Sequence, residues 1–169
     1  MRMPEPDREA LAKRDAIVAA LRGIVPGEGV IATRDELRAY ECDGLTAYRA
    51  LPLAVVLPTT TGQVSRILRL CHEEKIKVVP RGAGTSLSGG ALPLADGIVL
   101  GLGKFNQILD IDWENRTVTA QSGVTNLGIT RAVEHRGFYY APDPSSQIAC
   151  TIGGNIAENS GGVHCLKYG

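Results

Sequence analysis

The sequence predicts an α+β fold that opens with a β-α-β unit and continues as a mixed sheet with flanking helices. Three observations carry this reading. Two apolar strand-like runs, at 53–57 and 77–79, flank a helix with a clear start signal. A further buried-strand run at 97–101 and two strand-like segments on either side of Trp113-Glu114-Asn115 then make strands dominant. A helical segment at about 126–134 follows them.

Taken in chain order, the first helix is expected from about Arg8 to Leu21. Leu11, Val18 and Leu21 would lie on one face, with Gly23 and Pro26 closing it. It is expected to be a leading appendage, so residues 1–50 read as a helical lead-in and 51–169 as the main domain. A short helical piece from Asp35 to Tyr40 leads into the turn Glu41-Cys42-Asp43-Gly44. Leu53-Ala54-Val55-Val56-Leu57 has the branched and aliphatic composition of a buried strand. Thr60 and Gln63 then stand at capping-box spacing, with Val64, Ile67, Leu68 and Cys71 at helical positions behind them. That helix ends near Glu74, and Lys77-Val78-Val79 returns as a strand at the distance expected for a parallel pair. Beyond it, 107–111 and 116–121 read as a hairpin. In the last predicted helix, Thr125 is the expected N-cap and Gly137 the stop.

Length and composition narrow the function classes. The 169 residues are 44% hydrophobic and 21% charged, ordinary for a globular domain with a real core. Eighteen basic and eighteen acidic residues leave no net charge, which argues against a nucleic-acid partner. The polar N-terminus has neither signal-peptide pattern nor membrane span, and the expected location is cytoplasmic. Four cysteines, at 42, 71, 150 and 165, and three histidines lack metal-ligand spacing, so no metal site is expected.

The chemistry concentrates in two clusters. The first, Pro80-Arg81-Gly82-Ala83-Gly84-Thr85-Ser86-Leu87-Ser88-Gly89-Gly90, holds four of the chain's twenty glycines at the end of a strand. A backbone without Cβ can lie against an anion and turn successive N–H groups towards it, while hydroxyls and a guanidinium add donors. The plainer alternative is a tight surface turn. Leu87 excludes the G-x-G-x-x-G dinucleotide pattern, and no Gly-Lys-Ser/Thr is present for a Walker loop. Ligands of open α/β sheets bind outside the carboxyl ends of strands, which agrees with the loop's position.

The second cluster runs from Ala141-Pro142-Asp143-Pro144-Ser145-Ser146 to Cys150-Thr151-Ile152-Gly153-Gly154-Asn155-Ile156-Ala157-Glu158-Asn159-Ser160-Gly161-Gly162. Its amides and hydroxyls donate and accept without net charge, suiting ribose hydroxyls or a ring's polar edge. The alternative is a buried turn in which asparagines cap short helices.

Together these clusters resemble the flavin-binding half of the vanillyl-alcohol oxidase/p-cresol methylhydroxylase (PCMH) family, within it the branch of the FAD-linked glycolate oxidase subunit and the flavin D-lactate dehydrogenases. The residues that carry the resemblance are Pro80-Arg81-Gly82-Ala83-Gly84-Thr85, Leu87-Ser88-Gly89-Gly90, Tyr140-Ala141-Pro142-Asp143-Pro144-Ser145, Thr151-Ile152-Gly153-Gly154-Asn155 and Asn159-Ser160-Gly161-Gly162-Val163-His164. Glu41-Cys42-Asp43-Gly44 and the closing Cys165-Leu166-Lys167-Tyr168-Gly169 extend it. Ser86 departs from the glycine common in relatives.

The resemblance implies a PCMH-type FAD-binding domain over 51–169 whose second half is missing. It implies FAD as cofactor, with Arg81, Gly82, Ala83, Gly84, Thr85, Ser86, Gly89 and Gly90 around the pyrophosphate. Pro142 and Asp143 would border the diphosphate, Thr151, Gly153, Gly154 and Asn155 would lie along the cofactor, and Asn159 and Gly161 would approach its ribityl or ring end. No catalytic residue is expected in this stretch, and His164 is not expected to bond covalently to flavin. The implied activity is oxidation of a 2-hydroxy acid to a 2-oxo acid. Flavin and iron–sulfur partner subunits are implied too, and they would hold the protein peripherally at the inner membrane. The chain is expected to be inactive alone, ending before the family's substrate domain. The competing reading is a non-catalytic nucleotide- or phosphate-binding module.

Overall fold

In the computed structural model, which describes residues 3–168, the first helix is two: α1 (Arg8–Ala12) and α2 (Arg14–Ile24). Asp7 caps α1 by accepting a hydrogen bond from the Glu9 N–H at 2.8 Å. The buried stripe runs through Ala10 and not Leu11. Leu11 is exposed, whereas Ala10, Ile17, Val18 and Leu21 are buried. Arg14 ties the start of α2 to the main domain, donating to the carbonyls of Leu53, at 3.1 Å, and Ala32. The lead-in is therefore part of the core and not an appendage, because its apolar stripe is the cover for one face of the sheet.

That sheet has four strands: β1 (Val30–Ile31), β2 (Ala54–Val56), β3 (Lys77–Arg81) and β4 (Gly97–Gly101), in the spatial order β1-β2-β4-β3. β1 is antiparallel to β2, and β4 is parallel to both β2 and β3. The two strands of the expected β-α-β unit are therefore not neighbours. β4 lies between them, the place for a strand buried at every position. Alternation across the pleat divides the core: Ala54, Val56, Ile98 and Leu100 pack with α2 and the next helix, and Val55 and Val99 face Leu37 and Tyr40.

The helix between β2 and β3 is α4 (Thr61–Glu73); α3 (Arg34–Leu37) precedes β2 and runs on as a 3₁₀ turn, Arg38–Tyr40. Both halves of the α4 capping box form, Thr60 Oγ1 accepting from the Gln63 N–H and Gln63 Oε1 from the Thr60 N–H, at 3.2 and 3.3 Å. Ile67 and Cys71 point from α4 into the core, where burial pushes the Cys71 thiol up to about 11. Beyond the sheet, β5 (Ile108–Asp112) and β6 (Thr117–Ala120) form the expected antiparallel hairpin as a separate sheet. Asp112 holds its turn by accepting from the N–H groups of Glu114 and Asn115, both at 3.0 Å. The chain continues through α5 (Asn126–Val133), capped by Thr125, and then α6 (Ile152–Glu158) and α7 (Cys165–Tyr168). Met1, Arg2 and Gly169, the last residue of the closing match, lie outside the described residues. Among the described residues no helix is long and apolar enough to cross a membrane, and no group of three or more His, Cys, Asp and Glu could hold a metal ion.

Asp96 fastens the N-terminus to the sheet. Its side chain is 2% exposed, receives the Asp7 N–H at 2.8 Å and pairs with the Lys77 ammonium at 2.6 Å. Burial alone would raise this carboxyl; Lys77 and the Asp7 N–H outweigh burial and hold it below its ordinary value. A carboxyl depressed on folding stabilises the fold above its unfolded pKa of about 3.9, and that contribution fades as pH falls through the folded value.

Two stability predictions follow from these contacts. Leu21→Ala should lower the unfolding free energy by about 2–5 kcal/mol in a urea titration. An unchanged midpoint would mean that the lead-in stands apart from the core. Asp96→Asn should be less stable than the parent at neutral pH, with the difference shrinking below about pH 4. A gap that persists undiminished in acid would assign the effect to packing instead of charge.

Candidate functional site

The glycine cluster leaves the C-terminal end of β3 and forms one wall of a cleft of about 650 Å³. The opposite wall comes from Pro144-Ser145-Ser146, Cys150 and α6. Among the described residues, the backbone N–H groups of residues 83–87 donate to no acceptor in the protein. An open run of such donors is the feature that binds anions. The loop keeps this form because Gly84 has φ +73°, a conformation L side chains rarely adopt, and a Cβ there would lie 2.5 Å from Arg81 Cζ.

The two clusters meet at the base of the cleft. A Cβ on Gly82 would collide with the Thr151 hydroxyl, so a glycine is required where β3 ends against the start of α6. Thr151 also caps α6, accepting from the Gly154 N–H at 3.3 Å. At the rim, Ser86 Oγ donates to Glu158 Oε1 at 2.7 Å and accepts from the Ser88 N–H at 3.2 Å. The second bond orients the hydroxyl so that its single proton serves the carboxylate.

Of the expected site residues, Gly82, Ala83, Gly84, Thr85, Ser86 and Gly90 line one wall, and Thr151, Gly154 and Asn155 the other. The rest do not line the cleft. Arg81 turns behind the loop, its Nη1 donating to the carbonyls of Cys42, Ala91 and Tyr40 at 2.7, 3.3 and 3.4 Å. Gly89 serves as a turn with φ +82°. The Pro142 carbonyl accepts from Asn126 Nδ2 at 3.1 Å, and Gly153 packs on Ser122. Asp143 pairs with His164, 3.2 Å away, and accepts from the Val163 N–H at 2.9 Å. Burial would raise its carboxyl, but His164 and the backbone donors leave it below the usual carboxylate range. Gly161 is buried and receives the Asp143 N–H at 3.3 Å. Asn159 ends α6 in the left-handed conformation, and Asn155 Nδ2 donates to the Ser160 carbonyl at 2.5 Å. The helix-capping alternative thus holds for the asparagines, while the wall they support faces the cleft.

Glu158, absent from the sequence-derived set, had a legible signal. Thr151, Gly154, Asn155 and Glu158 are spaced three, four and seven residues apart, one helical face. A second, larger cavity of about 760 Å³ lies between the β5–β6 hairpin and α5, walled by Trp113, Phe138, Tyr139 and Tyr140. Its lining is mainly apolar and aromatic, without a donor run like that of the glycine loop.

Residues 52–169 match the family model described as an FAD binding domain. The chain belongs to the FAD binding domain family. It is 57% identical over 156 residues to "Glycolate oxidase subunit GlcD" of Escherichia coli (strain K12), covering 92% of this chain and 31% of that one. It is 41% identical over 137 residues to "D-lactate dehydrogenase" of Anaerostipes hadrus, covering 81% and 27%. The solved structure of p-cresol methylhydroxylase with substrate bound superposes with a TM-score of 0.73 at 22% identity, over 91% of this chain and 30% of that one, so the fold is of the PCMH type. The chain thus spans less than a third of the length of these relatives. FAD is the cofactor of this domain family, and the donor set suits it: free N–H groups, hydroxyls of Thr85, Ser145 and Ser146, and a base where no Cβ fits.

The electrostatics of this FAD binding domain contain one opposing element. Glu158 holds a carboxylate at the anion loop, and like charges about 4 Å apart repel by roughly 1 kcal/mol even in water. Glu158→Gln should therefore tighten the binding of inorganic pyrophosphate or ADP several-fold at low salt, read by calorimetric titration. Unchanged affinity would put the bound anion beyond the carboxylate's reach.

Proposed function

We propose that this chain is the FAD-binding part of a flavin-dependent 2-hydroxy-acid oxidoreductase similar to glycolate oxidase or D-lactate dehydrogenase, converting a 2-hydroxy acid to a 2-oxo acid. The observation that carries the reading is the run of acceptor-free N–H groups at 83–87, in the wall of a cleft within the FAD binding domain. Backbone donors that are already oriented bind phosphate oxygens without reorganising. Two phosphates of a dinucleotide would be held by the N–H groups of residues 83–87, with Thr85, Ser145 and Ser146 adding hydroxyl donors. Thr151, Gly154 and Asn155 would form the facing wall. FAD, when bound, supplies the two-electron oxidation, and the chain's own residues hold and orient it.

Identity to proteins named as a glycolate oxidase subunit and a D-lactate dehydrogenase supports a small 2-hydroxy acid as the substrate class. The word "subunit" in the first of those names supports further subunits as partners, and flavin and iron–sulfur proteins are the partners proposed here. Through them the protein would sit at the inner face of the membrane, in the cytoplasm. The proposal takes 51–169 as the FAD-binding domain, with the lead-in helices covering one face of its sheet.

The purified chain should bind FAD stoichiometrically, with the flavin absorbance retained through gel filtration after reconstitution. Gly84→Val should lose the flavin while its far-ultraviolet circular dichroism stays that of the parent. A colourless protein that ignores FAD but binds ATP would replace this reading with a phosphate-binding module lacking redox function.

A further inference from the structure

We propose that Arg81 is a positioning residue for the glycine loop, acting through the turn at residues 40–46 instead of through a direct contact with phosphate. The inference rests on the reading of the cleft as the FAD site, and it links Arg81 to a turn that lies upstream of 52–169, the stretch matched by the FAD binding domain.

Arg81 is the residue from which the loop departs, and Ala91 is where it returns. Nη1 of Arg81 donates to the Ala91 carbonyl at 3.3 Å, closing the loop at its base. The same nitrogen donates to Cys42 O at 2.7 Å and Tyr40 O at 3.4 Å, and the guanidinium lies over the Tyr40 ring, 5.6 Å from its centroid. One planar cation therefore gathers both ends of the loop and the upstream turn. It also fills the space under the loop's bend, since a Cβ on Gly84 would fall 2.5 Å from Cζ and 2.6 Å from Nε.

The turn makes its own contact with the loop. A Cβ on Gly44 would lie 2.7 Å from the Thr85 carbonyl oxygen and 3.0 Å from that of Ser86, so the turn packs directly on those two carbonyls. Asp43, 5% exposed, fixes the turn by accepting from the Leu45 N–H at 3.0 Å. In a trans peptide the C=O and N–H groups point in opposite directions. Carbonyls of Thr85 and Ser86 that face Gly44 therefore send the N–H groups of Ser86 and Leu87 away from the turn, and neither finds an acceptor among the described residues. Arg81 and the 40–46 turn thus dictate which side of the loop's peptides the ligand meets. A lysine lacks the atoms that do this: its ammonium could reach carbonyls, but it has no guanidinium group to lie over Tyr40 and to fill the space under Gly84 with Cζ and Nε.

The test compares the parent chain with Arg81→Lys, Arg81→Ala and Tyr40→Ala. Backbone NMR order parameters for residues 83–87 are measured without ligand, and FAD affinity is measured by fluorescence titration at two salt concentrations. The parent loop should be rigid, with order parameters near 0.85, falling below about 0.6 in both Arg81 variants. FAD affinity should drop on the order of tenfold in Arg81→Lys as well as Arg81→Ala, less in Tyr40→Ala, with the salt dependence unchanged. Full recovery of affinity in Arg81→Lys, or an Arg81→Ala loop as rigid as the parent with a reduced salt slope, would overturn the proposal in favour of a direct charge on phosphate. If Arg81→Ala does not fold, the lysine and tyrosine variants decide. If the order parameters fall as expected but the parent binds no FAD, the positioning role stands and the cofactor reading fails.

Discussion

Among the described residues the backbone N–H groups of residues 83–87 meet no acceptor, and much of the surrounding structure follows from keeping them so. Residues 83–87 are exposed or half-buried, so water serves these donors, and they stay open to a ligand only where the surrounding packing keeps protein acceptors away. Here the prevention is steric and local. Gly82 lets β3 end against Thr151, Arg81 fills the volume behind Gly84, and Gly44 abuts the loop's carbonyls. Each contact leaves no room for one more methyl group. The site is therefore built from small residues and one large cation, and not from a dense set of charged ligand contacts.

The sheet explains why the loop stands where it does. β4 is buried at all five of its positions, so it takes the centre, and β3 is pushed to the edge beside it. An edge strand can release its chain into solvent at its carboxyl end without breaking a second ladder. The core that holds β3 and β4 in register is then completed by α2 and α4 on one face and by Leu37 and Tyr40 on the other. Tyr40 serves both purposes, packing under β2 and β4 and carrying the Arg81 guanidinium. The segment that precedes the matched domain thus contributes to the sheet's stability and to the floor of the loop.

Much of this was legible in the sequence where the signal is local. The capping box at Thr60 and Gln63, the hairpin around Trp113 and the Thr125 cap were written in adjacent residues, and all formed. Strand adjacency was not, because the β-α-β spacing reports direction and length while the insertion of β4 depends on which strand is most apolar on both faces. Lys13 broke the first helix at a position with no proline or glycine, and periodicity across residues 8–21 consequently selected Leu11 where Ala10 and Ile17 are buried. In the site, glycines and hydroxyls were found by composition. The partners of Arg81 were not legible, since a cation in a phosphate-type loop has two uses and the sequence does not show carbonyls brought in from residues 40, 42 and 91.

The cleft's two walls are joined by contacts of different stiffness. At the base, Gly82 and Thr151 touch through backbone and a cap, and separating them would require moving the end of β3 or unwinding the start of α6. At the rim, Ser86 and Glu158, 72 residues apart, are joined by one exposed hydrogen bond. Such a bond contributes about 0.5–1.5 kcal/mol, a small fraction of what holds the sheet. The spacing of the walls is consequently fixed below and compliant above. An anion on the loop's N–H groups would also offer the Ser86 hydroxyl a second acceptor, and one proton cannot serve both. Among the described residues the polar link across the mouth is therefore made through a group that the loop's own chemistry competes for, whereas the base is held by shape, which a ligand's charge does not disturb.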